Sequence, residues 1–189
     1  LLATVPGVIV LTHFFGFGVL VNIVWACAVA LACEALALAL RRRPIAFYLR
    51  DCSALVTATL LAIALPPYSP WWLIAVGIAC AVLLAKHLYG GLGYNPFNPA
   101  MVGYVILLIS FPLQMSAWTP PRGLGELPGI IDALQACLWP ARFDGTTMAT
   151  PLDVMRQNSS LLLADLYART PQFGRWAGLG WEWVNLAFL

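Results

Sequence analysis

Long apolar runs, broken by glycine, proline and arginine, set the pattern of this chain. Residues 1–15 read as the end of one helix, interrupted at Gly16 and Gly18, because glycine costs a helix interior about 1 kcal/mol relative to alanine. The next run extends from about Phe17 to Leu40, where Arg41-Arg42-Arg43-Pro44 ends it. At about 1.5 Å per residue it is long enough to cross a hydrocarbon layer of about 30 Å. Asp51-Cys52-Ser53 offers capping oxygens to the run Ala54 to Leu65, which stops at Pro66-Pro67 and is too short to span comfortably, predicting a short or broken helix. Trp71 to Leu88 supplies the return span, with Pro70, Trp71 and Trp72 as an interfacial belt. Asn98-Pro99 pairs an N-cap with a proline at the first helical position, opening a helix through about Met115. The expected fold is an all-α polytopic membrane protein. Its helix bundle, with short or broken helices in about four spans or partial spans, occupies residues 1–115. A long external loop region covers 116–180, and residues 181–189 read as the start of a further span, so the chain is expected to be a fragment of a longer one.

Composition agrees with that setting. The chain is 61% hydrophobic and 10% charged, against roughly 25% charged in soluble domains. A formal net charge of +2 gives no reason to expect nucleic acid as a partner; membrane lipid is the expected surroundings. Arg41, Arg42, Arg43, Arg50 and Lys86 fall in the two turns on one side, and the positive-inside rule makes that side cytoplasmic. The polar island from about Ser116 to Gly180 then lies outside. Within it, Ile130 to Leu138 and Leu161 to Tyr167 carry short helical patterns, and long ordered loops are usually functional.

Several polar positions are candidates for chemistry. Glu34 is the one acidic residue well inside an apolar helix, and an intramembrane carboxylate points to an ion pathway or a paired partner. Its position about 10 Å along the helix from Arg41 equally permits contact with a wet pocket at the cytoplasmic face. Asn22, Thr57 and Thr59 read as helix-packing contacts. Cys27, Cys33, Cys52, Cys80 and Cys137 form no disulfide framework or CxxC set, and His13 and His87 are not spaced as metal ligands. Neither a metal nor an iron–sulfur cluster held by this chain alone is therefore expected. The loop Gly90 to Asn98 brings Asn95 and Asn98 beside glycines that permit close backbone approach; it is either a ligand-contacting element or a rigid turn with Asn98 as cap. In the island, Asp144-Gly145-Thr146-Thr147-Met148-Ala149-Thr150-Pro151-Leu152 is rich in hydroxyls. Read locally, these threonines are turn and cap residues, with Thr150-Pro151 opening a short helix whose third residue is Asp153.

The runs Leu65 to Trp72, Gly90 to Met101 and Ile109 to Met115, followed in order by the Asp144 to Leu152 loop, resemble the RnfD membrane proteins of the bacterial Rnf electron-transport complex. The related NqrB proteins of the sodium-translocating NADH:quinone reductase are similar at greater distance. The resemblance covers essentially the whole chain and places it in about the N-terminal half of the family protein. It implies a flavin-carrying membrane subunit of an ion-translocating oxidoreductase in the bacterial inner membrane, not catalytic alone, whose partners are iron–sulfur and flavoprotein subunits and a flavin transferase. In that family a threonine closing a Ser/Thr-x-Ala-Thr motif carries FMN through a phosphodiester. Thr147-Met148-Ala149-Thr150 matches it, with Thr150 as acceptor and Thr147, Ala149 and Asp144 as motif residues. Thr replaces the frequent Ser at 147, and Met replaces a small or polar residue at 148. Such a tether would keep a one-electron carrier from being lost, and the transferase works outside the membrane, where the charge count also puts Thr150. The quinone-reductase likeness further implies a noncovalent flavin, riboflavin, contacted by Asn95 and Asn98. A redox-silent ion transporter and a purely structural membrane protein are the alternatives; neither accounts for the Thr150 loop.

Overall fold

The structure is a computed structural model that describes residues 1–91, 93–139 and 147–189; among these the chain is helical, with two isolated bridges, Arg122 with Gly125 and Phe173 with Gly178, in place of any strand. Helix α1 (Val5–Phe15) stops where Gly16 takes φ 87°, and α2 (Gly18–Leu40) runs the length of the bundle. After a single turn, α3 (Ile45–Leu49), the chain returns as α4 (Ser53–Ala64) and descends again as α5 (Trp71–Ala79), which winds on as a π-helical segment, Cys80–His87. It then climbs through α6 (Pro99–Ser110) and α7 (Pro112–Met115). The island contributes α8 (Ile130–Leu138), α9 (Pro151–Gln157) and α10 (Leu163–Arg169), and α11 (Trp181–Ala187) closes the described chain against α1. Among the described residues only α2 is long and apolar enough by itself to cross a membrane; Leu2–Phe15, Ser53–Ala64, Trp71–His87 and Pro99–Ser110 are shorter apolar helices.

The breakers act where the sequence places them, with three departures. The helix expected from Asn98 to Met115 is cut at Phe111, because Pro112 lacks the N–H that would continue the ladder. The Leu161 pattern starts its helix two residues later, at Leu163. Lys86 does not sit on the surface with the arginines: it is among the largest fully buried side chains. The caps follow the reading closely. Asn98 Oδ1 accepts from the Ala100 N–H at 3.0 Å, and Asp51 Oδ1 accepts from the Ser53 N–H at 2.8 Å.

The core is built on small residues. Ala26, Ala30, Ala54, Ala58 and Ala62 let α2 and α4 approach, with Leu61, Leu73, Ile74 and Ile78 filling the centre. A Cβ on Gly103 of α6 would lie 2.7 Å from the Gly77 carbonyl of α5, so this crossing has room for no side chain, the packing mode expected of helices in lipid. Asn22, wholly buried, donates to the Pro66 carbonyl at 2.9 Å, and Thr57 and Thr59 bond back to carbonyls four residues earlier. Asn22 thus ties α2 to the turn after α4, while the two threonine hydroxyls bond within their own helix.

Candidate functional site

Two polar centres stand at opposite ends of α2. One gathers around Thr150. Its N-cap geometry is a reciprocal box: Asp153 N–H donates to Thr150 Oγ1 at 3.3 Å, Thr150 N–H donates to Asp153 Oδ2 at 3.1 Å, and the Thr150 hydroxyl donates to the same Oδ2 at 2.6 Å. Pro151, whose missing N–H costs nothing at the first helical position, then starts α9. The cap reading of this threonine is thus realised, and it fixes the hydroxyl in space. Thr147 and Ala149 are exposed, while Met148 is held by its N–H to the Trp118 carbonyl at 2.9 Å. Asp144 lies outside the described residues.

Thr150 opens on a cleft of about 530 Å³ whose walls include Trp118, Tyr167, Phe173, Trp176 and Trp181. That volume falls within the roughly 300–1,000 Å³ of small-molecule sites. The aromatic wall is a packed unit rooted in the bundle: Trp181 stands edge-on to Trp118 with centroids 4.7 Å apart and 4.8 Å from Phe15 at the end of α1. Tyr167 stacks on Phe173 at 4.6 Å and donates to the Trp176 carbonyl at 3.1 Å. On the other side of Thr150 is a void of about 10 Å³, about one water in size. Thr119 Oγ1 and Gln172 Oε1 are buried at it without a hydrogen-bond partner among the described residues. Thr147 also lines a second cavity, of about 290 Å³, with Pro66, Tyr68 and Gln114. Sequence reading missed this aromatic wall, because Trp118 and Tyr167 lie far apart in the island and Trp181 lies beyond it, and only the fold brings them to one threonine.

The whole chain, residues 1–189, matches the family described as NQR2, RnfD, RnfE. The protein belongs to the NQR2, RnfD, RnfE family. Similar proteins in Cellvibrio japonicus, at 53% identity over 99% of this chain and 54% of the relative, and in Ectopseudomonas mendocina, at 54% over 100% and 54%, are named as the D-type subunit of an ion-translocating oxidoreductase complex. So is one in Vibrio atlanticus, at 48% over 100% of this chain and 58% of the relative. The chain spans about half the length of these curated relatives. The all-helical fold with its broken helices is that of a membrane protein in the NQR2, RnfD, RnfE family.

The other centre lies among Arg41, Ser53, Lys86 and His87. Glu34 is 3% exposed, and both its carboxylate oxygens accept from Lys86 Nζ, at 2.8 and 2.9 Å. The partner that its burial demanded is therefore Lys86, and His87 joins them. Sequence spacing gave His87 no ligand role, and only the fold brings it to Glu34. No run of charge links these residues in sequence, since 52 positions separate Lys86 from Glu34.

The Asn95 and Asn98 amides serve the loop itself. Asn95 accepts from the Gly93 N–H at 3.2 Å and donates to the Phe97 carbonyl at 2.8 Å, while Asn98 caps α6. The adjoining pocket, between Leu84, Tyr89, Pro96 and Phe97, is about 140 Å³. Among the described residues no cluster of three or more metal-ligating side chains occurs. The Cys137 thiol lies on the buried face of α8, and that burial pushes its pKa up to about 11.

Proposed function

We propose that this chain is the flavin-carrying membrane part of an Rnf-type complex, coupling electron transfer to ion translocation across the bacterial inner membrane. The observation that carries the reading is the fixed Thr150 hydroxyl at the mouth of the aromatic cleft of about 530 Å³. The cleft matches the chemistry of a tethered isoalloxazine. Trp and Tyr faces suit a planar ring system, and the ester at Oγ1 leaves the chain's own groups to orient it. A flavin bound there supplies one-electron exchange; the protein positions it and sets its surroundings. Trp118, Tyr167 and Trp181 would hold the ring and exclude water from one face. Asp153 would give up one hydrogen bond, since an esterified Thr150 has no hydroxyl proton, but would keep that from the Thr150 N–H. The external, periplasmic placement of this end is supported by Arg41, Arg42, Arg43 and Arg50 at the other end of α2.

The partners in this reading are the other membrane and iron–sulfur subunits of the complex and the flavin transferase. A noncovalent riboflavin at Asn95 and Asn98 forms part of it only with a neighbouring subunit completing the site, because about 140 Å³ is well under the roughly 300 Å³ lower bound for such ligands.

The test is ultraviolet fluorescence of the denatured band from cells with the transferase. Wild type and Thr150→Ser should fluoresce and Thr150→Ala should not, with peptide mass spectrometry placing the added nucleotide. A dark wild-type band would end the flavin reading and favour a redox-silent transporter.

A further inference from the structure

We propose that Glu34, Lys86 and His87 form a proton-exchange site, loaded from the arginine end of the bundle through His87. The proposal rests on the ion-translocating reading above but not on the flavin at Thr150.

The three groups belong to two elements, α2 and the π-helical segment, and are 3%, 2% and 7% exposed. Lys86 Nζ donates two hydrogen bonds to Glu34 and a third to Ser53 Oγ, at 2.7 Å, and Ser53 Oγ–H donates to Asp51 Oδ1 at 2.6 Å. A continuous hydrogen-bonded chain therefore leads from the buried carboxylate to exposed Asp51. His87 approaches from the other side: Nε2 lies 3.0 Å from Glu34 Oε2, an ion-pair distance, but is misaligned for a hydrogen bond, and Nδ1 is buried without a partner among the described residues. Two unspent nitrogens in one buried imidazole are costly unless something in the adjoining space uses them.

That space exists. A cavity of about 340 Å³ reaches Glu34, Lys86 and His87 and is flanked by Arg41, Arg43 and Asp51. Charged side chains line it, and it is large enough for several waters at about 30 Å³ each. The charged and titratable groups facing the cluster are Cys33 beside Glu34, Arg41 donating to the His87 carbonyl, Arg43 over the Tyr48 ring, Asp51 bound to Ser53, and Tyr94 at the rim.

The chemistry balances. A hydronium in the cavity protonates His87 Nδ1 and leaves as water. The ring turns into line, and its Nε2 proton passes to Glu34 Oε2. The imidazole is again neutral, as the other tautomer, while Glu34 has become a neutral acid beside an ammonium that keeps its charge. Net charge in the cluster rises by one. A metal cation is disfavoured because the Lys86 ammonium already occupies the oxygens it would need, and Arg41 and Arg43 line the approach.

The experiment uses the whole complex in native or reconstituted vesicles, with infrared difference spectra over a pH series at constant, minimal sodium. Wild type should show a protonated-carboxyl band that rises as pH falls and is absent from Glu34→Gln. His87→Gln should leave the fluorescent flavin band and electron transfer with uncoupler unchanged. It should slow carboxyl protonation and coupled turnover by about 10²-fold, the usual scale of a lost proton-transfer group. The double variant Glu34→Gln with Lys86→Gln, which leaves no unpaired charge, controls for folding. A band indifferent to pH but abolished by added sodium would mark a metal-cation site and overturn the proposal; so would wild-type protonation rates in His87→Gln. Loss of the flavin band in wild type would strike the Thr150 reading alone.

Discussion

At Thr150 the cap reading is realised, and the flavin attachment proposed above would use the same geometry. The hydroxyl caps α9 and, for the same reason, points its proton at Asp153 Oδ2, 2.6 Å away. In the proposed attachment, a carboxylate so placed would take up that proton as the threonine oxygen bonds to the flavin's phosphorus and the group previously esterified there leaves. Asp153→Asn should therefore slow flavin attachment without abolishing it, read as a time course of gel fluorescence after the transferase is induced. An unchanged time course would leave Asp153 as a cap alone, worth about 1 kcal/mol to α9. The buried pair at the other end gives a second expectation. Removing only Lys86 strands the Glu34 charge and should cost about 3–5 kcal/mol, whereas replacing both partners should cost much less; thermal unfolding of the purified complex separates the two. The threonine and the carboxylate could both be read from sequence, because a motif names the first and an apolar surrounding singles out the second. Their environments could not. Lys86 next to a basic turn has the sequence signature of a surface charge, and only the packing of α2 against the π-helical segment buries it.

At the scale of elements, the starts and stops came from capping and breaking residues whose effects are local. Asn98-Pro99 and Thr150-Pro151 open helices where expected, and Gly16 and Pro66 stand at helix ends. What escaped was winding. Leu88 N–H reaches the Leu83 carbonyl at 3.0 Å and Gly91 N–H the Lys86 carbonyl at 3.1 Å, five residues back in each case, and no residue in Cys80–His87 announces it. Such wide turns are frequent at functional sites. The crossing of α5 and α6 is a close backbone approach with no room for a side chain at Gly103. Gly103→Ala should push its methyl into the Gly77 carbonyl and destabilise the bundle by about 1–3 kcal/mol, visible as a lower midpoint in thermal unfolding of the complex. A wild-type midpoint would mean that the two helices can move apart at no cost.

For the whole molecule, the main expectation is sidedness. Cys52 is exposed at the arginine end and Thr147 at the cleft end. A membrane-impermeant maleimide should label Cys52 only in inverted vesicles, and a Thr147→Cys variant with Cys52→Ser only in right-side-out ones. Labelling of both from one side would contradict the proposed orientation. Cys137 should resist the reagent, being buried and held protonated. Its pKa lies above the ordinary 9.0, at about 11, so the unfolded chain loses this proton first as pH rises. Its contribution to stability should be intact below about pH 9 and decline towards pH 11, where unfolding and labelling should both accelerate. The length of Trp71–His87 carries one more consequence. This stretch is pinned to α2 twice, where the Trp71 carbonyl accepts from Trp25 Nε1 at 3.0 Å and where Lys86 meets Glu34. The two rods thus share a pair of rivets, and the gauge between them is set by residue number: a one-residue deletion between Ala79 and Leu84 would turn the lower rivet out of its hole while the upper one held.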